Sequence, residues 1–213
     1  MNRWIAAALT ACALLALAPR ANAQVSGQYT GAETLPVNGH LFGGYLNASQ
    51  NVVGLTAQLR LSFYPNVDFG FQGGLNRLSY TGGDRTTLHL GVDLKYLARR
   101  GTDASPLDLS VGGELGVETG DNFSILGVGP DLLASLTPRS DGRSVVIPYA
   151  GLALLFSNVD VGPTQLSDFS VPLRLGAELR AIPDVRLTAE LQLRLADDFN
   201  DDVGFAAGVN LPF

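Results

Sequence analysis

The chain has 213 residues, a formal charge of −6 from 14 Lys+Arg against 20 Asp+Glu, and one cysteine. The acidic balance argues against nucleic acid as a partner, and a single cysteine excludes an internal disulfide framework. No run after residue 23 is apolar for the roughly 20 residues a membrane helix needs, whereas 25 glycines and 11 prolines suit many strands and turns, so an all-β fold is expected.

Residues 1–23 read as a cleaved signal peptide. Arg3 precedes an apolar run over residues 4–18, and Ala21-Asn22-Ala23 makes a small-residue cleavage site before Gln24. Leu9-Thr10-Ala11-Cys12 also fits a lipobox, but the apolar run continues past Cys12 and few apolar residues precede it. Cleavage after Ala23 removes Cys12, Trp4, Arg3 and Arg20, leaving 12 Lys+Arg against 20 Asp+Glu and a charge of −8.

Residues 24–37 are polar and weakly patterned, and are expected to form a periplasmic N-terminal lead-in with at most a short strand near 25–29. A first strand is expected over 38–48, with its phase blurred by Gly43-Gly44. Val53, Leu55, Ala57, Leu59, Leu61 and Phe63 then alternate with Gly54, Thr56, Gln58, Arg60 and Ser62, the period of a strand. Pro65-Asn66 is a tight turn. Val67, Phe69 and Phe71 open a third strand. The alternation slips at Gly73-Gly74, which predicts a bulge, and resumes at Leu78 and Tyr80.

The fourth strand sets Leu88, Leu90, Val92, Leu94 and Tyr96 against His89, Gly91, Asp93 and Lys95, and the fifth sets Leu107, Leu109, Val111, Leu115 and Val117 against Asp108, Ser110, Gly112, Glu114, Gly116 and Glu118. A sixth strand over 125–136 contains Pro130, which a closed sheet must accommodate at a bulge. The seventh segment, 145–156, is apolar on both faces and has no assignable phase, and 157–168 is expected as the longest loop. The eighth strand sets Phe169, Val171, Leu173, Leu175, Ala177 and Leu179 against Ser170, Pro172, Arg174, Gly176, Glu178 and Arg180. The last hairpin repeats the pattern: an apolar row from Val185 to Leu195 opposes Arg186, Thr188, Glu190, Gln192 and Arg194, and Val203, Phe205, Ala207, Val209, Leu211 and Phe213 oppose small and polar residues.

Ten such strands, each near the length that crosses a tilted bilayer, form an even number, as single-chain bacterial barrels have; eight is the runner-up count. The direction of the rows follows from their contents. The apolar row carries no charge in most strands, as a hydrocarbon solvent demands. The opposite row mixes charges of both signs with glycines, which would weaken a water-facing strand but leave room for long side chains inside a narrow barrel. Phe63, Tyr64, Phe69, Tyr96 and Phe213 fall at one set of strand ends and Tyr80, Phe123, Phe156, Phe169, Phe199 and Phe205 at the other, like interfacial girdles.

Over residues 38–213 this pattern resembles small bacterial outer-membrane β-barrels of the OmpA, OmpW and OmpX type and porin-family barrels. The resemblance implies a transmembrane antiparallel up-and-down barrel in a Gram-negative outer membrane. It also implies that the terminal Phe213 is part of the signal read by the barrel assembly machinery, with periplasmic chaperones, outer-membrane lipid and lipopolysaccharide as partners. The expected lumen lining is Arg60, Asp93, Lys95, Asp108, Glu114, Glu118, Arg174, Glu178, Arg180, Arg186, Glu190 and Arg194, with ion pairs between the eighth and ninth strands. Such a lining fits either a narrow pore or a salt-bridged plug.

Catalysis is not expected, and neither is a cofactor or a metal. The mature chain retains only His40 and His89; His89 sits inward near the outer rim with Asp93 four residues on, which keeps an outer-membrane hydrolase as an alternative. Asp197, Asp198, Asp201 and Asp202 lack the spacing of a calcium loop and read as a solvated loop tip. A soluble exported barrel binding an apolar ligand is the other alternative.

Overall fold

The computed structural model describes residues 28–80, 83–121, 123–136, 145–161, 164–182, 184–195 and 203–213. The signal peptide, residues 25–27 of the short strand expected near 25–29 and the aspartate cluster lie outside these residues, and Gln28 and Tyr29 are not strand. Among them, twelve strands form one sheet: β1 (His40–Ala48), β2 (Val52–Tyr64), β3 (Val67–Tyr80), β4 (Gly83–Arg99), β5 (Leu107–Gly120), β6 (Phe123–Leu136), β7 (Val145–Ala153), β8 (Leu155–Val161), β9 (Thr164–Ser170), β10 (Pro172–Ile182), β11 (Val185–Arg194) and β12 (Val203–Pro212). Every pairing is antiparallel. The first strand pairs with the last, and β5 pairs with β6 to close the ring. Ten strands make the barrel, the number expected, while β8 and β9 stand outside the ring.

Pro130 explains where the ring ends and the extra hairpin begins. β6 pairs with β7 through Asp131 and Ala153 and with β8 through Val128 and Phe156, so the register runs on unchanged past Leu154. The Pro130 carbonyl accepts the Leu154 N–H at 3.0 Å, but proline has no N–H to return. The ladder is interrupted there without a bulge. β8 and β9 pair from Leu155–Ser170 to Val161–Thr164, so most of the stretch expected as the longest loop, 157–168, is strand. It forms a hairpin that prolongs the wall at the end opposite the chain terminus.

Two further expectations change. Gly73 and Gly74 stay in register with both neighbouring strands; there is no bulge. The apparent slip arises because Leu78 faces inward and is buried while Arg77 points out to pair with Asp84. The seventh segment, without an assignable phase in the sequence, directs Ile147, Tyr149, Gly151 and Ala153 inward and Val146 and Leu152 outward.

The apolar row faces out. Leu46, Val53, Leu55, Leu75, Leu90, Leu175, Leu187 and Phe205 are each between 42% and 65% exposed. Along β4 the belt runs from Leu88 to Tyr96, about 27 Å at roughly 3.4 Å per residue and about 21 Å along the normal at a tilt of about 40°, comparable to the roughly 25 Å apolar band of outer-membrane barrels. Aromatics border it. Phe63, Tyr64, Tyr96 and Phe213 are exposed at the terminus end. At the other end Phe156 and Phe169 meet at 5.1 Å, and past them the outward side chains turn polar with Asn158 and Ser167. An exterior of this kind cannot face water, and the soluble-barrel alternative falls with it.

Candidate functional site: the lumen and the segment inside it

Alternation sends the other row inward, and most of the buried side chains of the barrel are polar or charged. Arg60, Asp93, Lys95, Asp108, Glu118, Arg174, Glu178 and Glu190 are buried, and Glu114, Arg180, Arg186 and Arg194 are partly so, all on the lumen side. Small neighbours make room for the large ones. A Cβ added to Gly176 would collide with the phenol end of Tyr149, and one on Gly208 would strike Tyr45.

The charges form three groups. Arg60 forks onto Asp93 with Nη1 and Nη2 at 3.1 and 2.8 Å, while Asp68 stands 3.8 Å from Arg60 Nε and 3.5 Å from Lys95 Nζ. Arg174 crosses from β10 to Glu114 on β5 at 3.0 Å, and the Tyr149 hydroxyl donates to Glu190 at 2.8 Å. Arg180 and Arg186 both reach Glu178, at 2.5 and 3.8 Å. The expected β10–β11 ion pair exists as Arg186 with Glu178; Arg174 is paired across the lumen instead. Pairing of this kind is what allows charges to be buried at all.

The expected periplasmic lead-in lies elsewhere: residues 28–35 run inside the barrel, and Pro36 and Val37 are exposed where it leaves. Tyr29, Ala32 and Leu35 are buried among the inward side chains. Lys95 Nζ donates to the carbonyls of Gly31 and Glu33 at 2.9 and 2.8 Å, the Ser110 hydroxyl donates to the Ala32 carbonyl, and the Ala32 N–H donates to Ser135 Oγ at 3.0 Å. The Leu35 N–H donates to Asp68 at 3.0 Å and Asn210 Nδ2 to the Tyr29 carbonyl at 3.2 Å. Side chains contribute as well. Gln28 donates to Asp131, Glu33 pairs with Arg180 at 2.6 Å, and Tyr29 stacks on Tyr45 with centroids 4.1 Å apart. Burial first, then the Glu190 carboxylate, hold the Tyr29 hydroxyl above its ordinary pKa, so it stays protonated and donates to Asn47. A cavity of about 50 Å³ remains beside the segment, lined by Glu33, Arg60, Lys95, Glu178, Arg180 and Arg186 among others.

Asp68, Asp131, Tyr45 and Tyr149 belong to this site and are absent from the sequence reading. Asp68 occupies the inward phase of β3, opposite Val67, Phe69 and Phe71, where the alternation already puts it; Tyr45 and Tyr149 sit on the two segments whose phase was blurred. Asp93, the carboxylate expected to serve His89, is instead committed to Arg60 and Gln72, and the residue facing His89 across the ladder is Glu118 on β5. His40 lies at the opposite rim, where its ring stacks on Phe213 at 5.4 Å and its carbonyl accepts the Phe213 N–H.

A closed antiparallel barrel, apolar outside and polar within, is a membrane-spanning protein of the bacterial outer-membrane class. Neither a family model nor a curated protein matches the chain. Solved structures do. An outer membrane channel from Pseudomonas putida F1 is similar with a TM-score of 0.55 at 14% identity, over 89% of this chain and 99% of that one. A bacterial polysaccharide outer membrane secretin gives 0.50 at 10% identity, over 82% and 69%, and the N-terminal β-barrel domain of Pseudomonas aeruginosa OprF gives 0.40 at 9%, over 83% and 98%. At such identities the first two share the fold with this chain, and the fold alone.

Proposed function

We propose that the chain is a non-enzymatic outer-membrane barrel that serves as a narrow, porin-like channel for small polar solutes. The observation that supports this is the lumen: its lining is mostly polar, with charges of both signs, and a water-sized cavity lies beside the inner segment. Arg60, Lys95, Arg174, Arg180, Arg186 and Arg194 are outnumbered by Asp68, Asp93, Asp108, Glu114, Glu118, Asp131, Glu178 and Glu190, and a modest preference for cations follows from that excess. Planar-bilayer recording of refolded protein tests it: small conductance steps with a reversal potential favouring cations are expected, and silence at every voltage would remove the channel.

A structural barrel is the second reading, favoured by Arg174 reaching Glu114 across the lumen. In either role the partners proposed are outer-membrane lipid and lipopolysaccharide outside the belt, periplasmic chaperones before insertion, and the barrel assembly machinery reading Phe213.

A further inference from the structure

Residues 28–36 are joined to the wall unlike any strand. They take no part in the sheet, and their hold on the barrel is made largely by wall side chains that grip the main chain: Lys95 and Ser110 on carbonyls, Ser135 and Asp68 on N–H groups, Asn210 on the Tyr29 carbonyl. Contacts to the main chain do not depend on the sequence they hold, and water can replace each of them. The wall charges are already paired with one another, Arg60 with Asp93, Arg174 with Glu114 and Arg186 with Glu178. Withdrawal of the segment would therefore leave most buried charges paired: Lys95 keeps Asp68 at 3.5 Å, the ion pair lost, Glu33 with Arg180, is partly exposed, and Asp131 would exchange Gln28 for water.

Strain points the same way. Tyr29 holds φ at 49°, a left-handed conformation that a bulky residue adopts only when its surroundings impose it. Several buried polar atoms beside the segment, Gln28 Oε1, Thr34 Oγ1, Asp131 Oδ1 and Gln58 Nε2, have no protein partner in this arrangement, so the fit is looser than a strand's.

From this geometry we infer that residues 28–36 form a displaceable plug, an extended polypeptide bound in the lumen, with Lys95 as the latch that holds its carbonyls. Lys95 is a positioning residue. The consequence for conduction, that the pore opens when the plug leaves, rests on the channel reading above.

The test uses the full chain after signal removal, which then carries no cysteine of its own. A cysteine at Ala32, fully buried here, should react with a maleimide at least tenfold more slowly than one at the exposed Thr102. Adding Lys95→Met should accelerate the Ala32 reaction at least tenfold, and Lys95→Arg should not, with all variants keeping their heat-dependent gel shift. Equal reactivity at the two sites, or no effect of Lys95→Met, overturns the proposal. As a second arm, the Cβ of a residue at 31 would lie 3.0 Å from Ser135 Cβ, so that a shift of the segment by roughly 0.5–1 Å reaches the Cβ separation of a disulfide. Gly31→Cys with Ser135→Cys should cross-link on oxidation and hold the plug, silencing conductance that returns on reduction. Failure to cross-link overturns the plug. Latched labelling and cross-linking together with silence in both redox states leaves the plug standing and removes the channel.

Discussion

Arg60 and Asp93 show how a charge survives inside this barrel. Both side chains are 1% exposed, held by two charge-assisted hydrogen bonds that span from β2 to β4 over Gly70 of the strand between them. Removing one partner leaves the other buried and uncompensated, which costs about 3–5 kcal/mol where water is excluded. Arg60→Met is therefore expected to lower unfolding stability by roughly 3 kcal/mol in denaturant titrations in lipid vesicles, and Arg60→Met with Asp93→Leu to lose clearly less; additive losses would contradict the pairing. Gly176 offers a second test at this scale. A side chain there collides with the Tyr149 ring, so Gly176→Val should destabilise by about 1–3 kcal/mol, and Tyr149→Ala should recover part of it. These residues were legible in part. The alternation placed Arg60, Asp93 and Gly176 on the lumen side, but which charge meets which depends on neighbours far apart in the chain, as Arg174 and Glu114 are.

At the scale of the element, the strands follow a two-residue period because each separates hydrocarbon from a polar interior. Leu90 sits near the middle of the belt on β4, so Leu90→Arg is expected to cost about 2–4 kcal/mol, measured as loss of folded, heat-modifiable protein. Arg77, outward but beyond the belt and paired with Asp84, should accept leucine with little change. If both substitutions behaved alike, the belt would be misplaced. The elements that sequence alone misjudged have physical reasons. Gly73-Gly74 resembled a bulge because the apolar Leu78 takes the inward face while Arg77 points out, and Pro130 seemed to demand a bulge although a missing N–H can be absorbed as one absent ladder bond. Residues 157–168 looked like a loop because above the bilayer a strand no longer needs an apolar face.

For the whole molecule, closure depends on the first and last strands finding each other, from Leu41 with Pro212 to Ala48 with Phe205. Phe213 continues this seam through its bond to His40. Its removal should lower the yield of barrel inserted into outer membranes while leaving the stability of what does insert nearly unchanged; equal yields would deny it a role in assembly. The alternating pattern determined by itself that the chain is a barrel with lipid outside and charge within, since the faces of a strand report their solvents residue by residue, and it favoured ten strands over eight. The tertiary structure alone decided that residues 28–36 occupy the lumen. Nothing in that short polar stretch distinguishes a tail in water from a plug, because what holds it is contributed by seven different strands and directed mostly at its main chain, which carries no signature in the sequence.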